Sequence, residues 1–78
     1  MLNVKVLGSG CANCKKLEAV VRKVLAAQGL SAEVEKVTDY AEIMKWHILS
    51  TPGLVVNDKV VSTGRIPGES ELRNWLMP

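Results

Sequence analysis

The sequence predicts a single α/β domain over residues 1–78, with four strands and three helices in the order βαβαββα. Three observations point there. A valine- and leucine-rich run, Leu2-Asn3-Val4-Lys5-Val6-Leu7, stops at glycine. It is followed by Leu17, Val20, Val21, Val24 and Leu25, the i, i+3, i+4, i+7, i+8 spacing of an amphipathic helix. Ala32 and Val34 then alternate with Glu33 and Glu35 beyond a second glycine, giving a strand–helix–strand unit whose simplest connection is a right-handed parallel crossover. Finally, Leu54-Val55-Val56 and Lys59-Val60-Val61-Ser62 flank the tight-turn pair Asn57-Asp58, a hairpin signal.

Each element has its boundary markers. Gly8-Ser9-Gly10-Cys11-Ala12-Asn13-Cys14 joins the first strand to the first helix. Gln28-Gly29 ends that helix, glycine being suited to the left-handed position. The second strand is expected over Leu30 to Val37. Thr38-Asp39-Tyr40-Ala41-Glu42 reads as a helix start, with Asp39 capping and Glu42 closing the box. Ile43, Met44, Trp46, His47 and Ile48 should carry this helix to about Leu49. Ser50-Thr51-Pro52-Gly53 breaks it before the hairpin. After Thr63-Gly64-Arg65-Ile66-Pro67-Gly68, a last helix shows Leu72, Trp75 and Leu76 on one face. Trp46 and Trp75 are expected in the core.

Composition narrows the function. The hydrophobic fraction of 47% can fill one small core, and with no Phe the valines and leucines must pack it. The net charge of +2, with acids and bases interspersed, predicts no nucleic-acid surface. The Lys15-Lys16 pair reads as the solvated face of a helix. No apolar run has the length of a membrane span, and the first strand begins at once, so neither a membrane partner nor a signal peptide is expected. The implied address is cytoplasmic, where disulfides are usually transient and catalytic. A bond closing so short a loop would also stabilise little, on the order of 2 kcal/mol.

Both cysteines, Cys11 and Cys14, fall where a strand ends and a helix begins. Unpaired N–H groups and the positive end of the macrodipole stabilise a thiolate there, Cys11 gaining most. A thiolate with a second thiol two residues away can attack a disulfide and then be resolved by its neighbour. The rival use of the pair is metal binding. A closed zinc site wants four ligands, and only His47 is available besides the sulfurs. Two-thiolate copper(I) binding or transfer is the alternative that the soft donors leave open.

Gly-Cys-Ala-Asn-Cys after the first strand, Ser-Thr-Pro-Gly-Leu-Val-Val-Asn-Asp-Lys-Val-Val opening the hairpin, and the glycine-containing link to the last helix together resemble a minimal thioredoxin fold. The chain is similar over nearly its whole length to the small thioredoxin-like redox-active disulfide proteins. The resemblance implies a four-stranded mixed sheet of order 2-1-3-4, with strand 3 antiparallel to strand 1. It implies a thiol–disulfide oxidoreductase in which Cys11 attacks, Cys14 resolves, and Pro52 is cis and faces the pair. Cys11, Tyr40, Thr51-Pro52 and Gly64-Arg65 should gather at one sheet edge. Thr51, Pro52, Gly64 and Arg65 are then the substrate-binding candidates, Thr51 through its backbone and Arg65 through a substrate carboxylate. The implied partners are protein disulfides and a separate reductase, with no cofactor, no metal and a monomeric state.

The chain departs from the larger families in two places. Its inter-cysteine dipeptide is Ala12-Asn13, without the proline of thioredoxins and most glutaredoxins. Where glutaredoxins grip glutathione with Gly-Gly and a following Asp, it reads Ser62-Thr63-Gly64-Arg65-Ile66-Pro67, which puts glutathione binding in doubt. Metal-transfer domains with CxxC in the first loop resemble βαββαβ instead and carry Met two residues before the first cysteine, where this chain has Ser9.

Overall fold

The computed structural model describes residues 2–9 and 12–76. Its elements are β1 (Leu2–Leu7), α1 (Ala12–Ala27), β2 (Ala32–Val37), α2 (Tyr40–Met44), β3 (Gly53–Val56), β4 (Lys59–Thr63) and α3 (Glu69–Leu76). The sheet order is β2-β1-β3-β4, the one the resemblance implied. β1 runs parallel to β2, from Leu2 opposite Ala32 to Leu7 opposite Val37. It runs antiparallel to β3, from Val4 opposite Val56 to Leu7 opposite Gly53.

The period-two alternation of β1 sorts the core into two layers. Val4 and Val6, with Leu54 and Val56, pack against Leu17, Val21, Val24 and Leu25 of α1 and Leu72 and Leu76 of α3. On the other face Leu7, Val37 and Val55 lie under Ile43 and Ile48, with Trp46 half-buried beside them. Further along that face the register brings together Asn3, Lys5, Glu33 and Glu35, all polar. Only the sheet end that carries the cysteine loop is therefore apolar on both sides, because short α2 reaches no further.

α1 stops as expected, and by a complete Schellman motif. Gly29 takes φ +64, its N–H donates to Ala26, and the N–H of Leu30 donates to Leu25 at 2.9 Å. Leu30 is thereby tied to the helix end, so β2 begins at Ala32 and not at Leu30.

The larger correction concerns α2, which ends at Met44 rather than near Leu49. Asp39 caps it as expected, its carboxylate accepting from the Ala41 N–H at 3.0 Å, while Glu42 accepts from Lys45 Nζ at 3.1 Å. The N–H groups of Lys45, Trp46 and His47 then donate three residues back, to Glu42, Ile43 and Met44. His47 turns left-handed at φ 57, which sends Ile48 into the core and leaves Leu49 100% exposed. The apolar run reads like a longer helix, but its side chains serve two opposite faces.

The hairpin forms as the sequence implies. Asn57 and Asp58 both have positive φ, 50 and 66, the backbone of a type I′ turn. A register irregularity follows: Leu54 pairs with Ser62 but Val55 with Val60, so Val61 is the extra residue of a β-bulge. Ser62 faces the core beyond it, and its Oγ has no hydrogen-bond partner among the described residues.

Candidate functional site

The end of β1 delivers the chain to the start of α1. Gly8, the first residue past the strand, is buried, and its N–H donates to Val37 O at 2.9 Å, extending the β1–β2 ladder. Cys14 lies in the first turn of α1, 5% exposed, and its sulfur is in a disulfide. That sulfur rests against Gly8: a Cβ built on Gly8 would collide with Cys14 Sγ and stand 3.3 Å from Cys14 Cβ. The opening turn of α1 contains no acid, while Lys15 and Lys16 are exposed beside it, so the helix end is electrostatically positive. Cys11 lies outside the described residues.

From the other side comes the segment before β3. The Thr51–Pro52 bond is cis. Pro52 is buried and Thr51 exposed, and Thr51 Cβ is 3.9 Å from the position a Gly8 side chain would take. Gly64 closes the third side, its N–H donating to Pro52 O at 2.9 Å. With φ +73 it sits over Ser50, whose Oγ would be 2.7 Å from any Cβ placed there. Cys14, Thr51, Pro52 and Gly64 are thus brought to one sheet edge, and Tyr40 reaches it across a groove it shares with Thr51 and Ser9.

Arg65 is placed differently from the expectation of a fork open to substrate. Its Nη1 and Nη2 donate to both carboxylate oxygens of Glu71, at 3.1 and 2.7 Å, and the Gly68 N–H adds a longer bond to the same carboxylate. The bidentate geometry ties the link after β4 to α3. It holds the Glu71 carboxyl below the usual range, chiefly through the Arg65 hydrogen bond.

Behind the buried sulfur is a cavity of about 60 Å³ lined by Cys14, Lys15, Glu18, Lys36 and Thr38, among others. Glu18 stands one helical turn after Cys14. Arg22 Nε donates to it at 3.0 Å, and Lys36 Nζ lies 3.5 Å away. The Arg22 hydrogen bond, with help from Lys36, keeps the Glu18 carboxyl below its ordinary range against the opposing effect of burial. As for metals, no group of three or more His, Cys, Asp or Glu among the described residues could hold an ion, and His47 is exposed on the turn after α2.

Gly8 and Leu49 mark element boundaries in the sequence and the Glu18–Lys36 pair is not marked there at all; none of them is among the sequence-predicted site residues. A glycine directly after a strand and before CxxC was the available signal for Gly8. Glu18 announces itself only through the i+4 spacing from Cys14. Leu49 carried no signal, since its exposure depends on the left-handed turn at His47.

Known proteins bear on the whole chain. A family model described as Thioredoxin domain matches residues 2–77. A thioredoxin of Methanocaldococcus jannaschii is 36% identical over 76 residues, 97% of this chain and 87% of that protein. One of Methanothermobacter thermautotrophicus is 32% identical over 97% of this chain and 99% of its own length. Among solved structures, the germline-specific thioredoxin Deadhead of Drosophila melanogaster superposes with TM-score 0.61 at 22% identity, over 94% of this chain and 75% of its own. Oxidised thioredoxin from Plasmodium falciparum gives TM-score 0.61 at 20% identity, covering 96% and 77%. These two speak to the fold.

Proposed function

The chain belongs to the thioredoxin domain family, whose kind of function is thiol–disulfide oxidoreduction, and from that premise we propose that Cys11 and Cys14 are its redox pair. The observation that carries the reading is Cys14: a sulfur in a disulfide, buried under Gly8 at the positive end of a helix, beside an exposed Thr51 and a cis Pro52. A cysteine that is 5% exposed is poorly placed to meet a large disulfide directly, which leaves the attack to the chain's other cysteine, Cys11.

The reaction then runs in two exchanges. The Cys11 thiolate attacks one sulfur of a substrate disulfide, forming a mixed disulfide and expelling the other sulfur as a thiolate. The Cys14 thiolate attacks Cys11, forming the intramolecular disulfide and releasing the second substrate thiolate. The two protons of the original dithiol end on the two product thiols. A separate thiol reductant returns the pair to the dithiol. Thr51 and Pro52 supply the surface on which the substrate chain lies, and Gly64 holds the Pro52 carbonyl from behind. Arg65 acts on the site indirectly, by fixing the link after β4 to α3 through Glu71.

The substrates on this reading are protein disulfides, met by a monomer in a reducing, cytoplasmic setting. No helix among the described residues is long and apolar enough to cross a membrane. Equilibrating the protein in thiol–disulfide buffers, quenching with an alkylating agent and counting labels by mass tests the pair. A single two-electron transition, with both cysteines gained or lost together, is expected. Independent one-thiol titrations would overturn the assignment.

A further inference from the structure

β2 lies at one end of the sheet, paired with β1 alone among the described strands. Val37 O accepts from Gly8 on the β1 side, so by alternation the N–H and C=O groups of Ala32, Val34 and Lys36 point outward. No backbone partner among the described residues takes them up. The strand pairs regularly over all six residues, with neither proline nor bulge to guard it. The opposite edge, β4, is broken by the bulge at Val61. β2 is guarded by charge instead. Glu33 and Glu35 stand exposed on one face, and neither has an ion-pair partner among the described residues.

Charge says what can occupy this edge. Beside Glu35 a cleft of about 320 Å³ opens, lined by Lys5, Val37, Glu42, Lys45 and Trp46. Its cations are already engaged. Lys5 Nζ is 3.7 Å from Asp58 and 5.7 Å from the Trp46 ring centroid, and Lys45 Nζ is 3.1 Å from Glu42. Lys36 belongs to the other face, where it meets Glu18. Glu33 and Glu35 therefore leave this side of the strand net negative, on a chain whose net charge is +2. A second copy of β2 fits badly. Antiparallel pairing about a two-fold axis at Val34 sets Glu33 opposite Glu35, and centring on Glu35 sets that carboxylate against its own copy. On the other face Ala32 and Val34 are half-buried against the α1 layer, so an added strand would extend the apolar cover there. We propose that β2 is the docking edge for an extended basic segment of a partner protein. The segment adds a strand to the four-stranded sheet, with Lys or Arg at alternate positions over Glu33 and Glu35 and apolar residues between them. No thiol takes part, so the proposal stands apart from the exchange reading.

Amide hydrogen exchange of the oxidised protein, read by NMR, tests this with a capped peptide alternating Lys and Val. At about ten times its Kd the peptide should slow exchange of the Ala32, Val34 and Lys36 amides about tenfold, as mass action requires of a protected bound form. The same peptide with Glu in place of Lys should leave those amides unprotected. So should one N-methylated throughout, which keeps the charges but has no backbone N–H to donate. Glu33→Gln with Glu35→Gln, both at exposed positions, should raise the Kd about fivefold, the size of two exposed ion pairs. No protection by the Lys peptide up to about 5 mM, or equal protection by the Glu peptide, would overturn the assignment. Binding that the N-methylated peptide reproduces, or a Kd indifferent to the double substitution, would overturn it as well. Protection that appears without peptide and grows with protein concentration would give the edge to a second copy instead.

Discussion

Replacing Gly8 by alanine puts the packing account of the site to a quantitative test. The φ of Gly8 is not positive, so an alanine there meets no backbone penalty and the effect is steric. The added methyl would collide with Cys14 Sγ and stand 3.3 Å from Cys14 Cβ, between α1 and β1, where neither backbone can easily withdraw. Overpacking of this kind costs about 1–3 kcal/mol. In a domain of this size each kcal/mol is worth roughly 4–8 °C in Tm. The cost should fall largely on the sulfur, which its disulfide keeps from swinging aside. Denaturant unfolding of the wild-type protein, Gly8→Ala, Cys14→Ala and the double variant, all under oxidising conditions, isolates that share. Loss of the disulfide affects the single and double Cys14 variants alike and cancels from the cycle. A coupling of about 1 kcal/mol or more is expected, Gly8→Ala being much milder once the sulfur is gone. Equal costs in both backgrounds would refute the claim that Gly8 is glycine because the sulfur needs its space.

Three further outcomes follow from the polar groups. Ser62→Ala removes a buried hydroxyl with no partner among the described residues and should leave stability unchanged or raise it by up to about 1 kcal/mol, read from the urea midpoint; clear destabilisation would mean that the hydroxyl is satisfied. The folded Glu18 carboxyl lies below its ordinary 4.5, so the stability it contributes is present above that pH and is lost as pH falls through the folded value. Glu18→Gln should therefore flatten the acid limb of the stability curve while leaving the shape of the curve between pH 6 and 8 unaltered, roughly two units clear of the titration. Glu71→Gln should release the Arg65 fork from its bidentate pair, raising the exchange rate with acidic disulfide peptides, whereas Arg65→Ala should change the charge preference little.

Much of the fold was legible because its signals are local. The Asn57-Asp58 turn, the Gln28-Gly29 stop and the α1 periodicity each specify their element through backbone chemistry carried by a few neighbouring residues. α2 ends earlier than its apolar run suggests because hydrophobicity does not say which way a side chain points. Ile43 and Ile48 reach the core, Leu49 does not, and the residue that separates them is a histidine in a conformation nothing in its type announces. The site divides in the same way. The edge shared by Cys14, Thr51-Pro52 and Gly64 follows from strand order, which the resemblance supplied. The pairing of Arg65 with Glu71 was hidden because it depends on how α3 returns over the link before it. The Glu18–Lys36 contact joins α1 to β2, a long-range meeting that single-sequence spacing does not encode.

Trapping the mixed disulfide distinguishes attack by Cys11 and resolution by Cys14 from the reverse order. Reduced Cys14→Ser protein, mixed with a peptide disulfide and examined by intact mass and peptide mapping, lacks the thiol that completes the second exchange. A persistent adduct of one peptide on Cys11, dispersed by added thiol, is expected, with no such accumulation in the wild-type protein. Absence of the Cys11 adduct in Cys14→Ser, or a persistent adduct on Cys14 in reduced Cys11→Ser formed at a comparable rate, would contradict it.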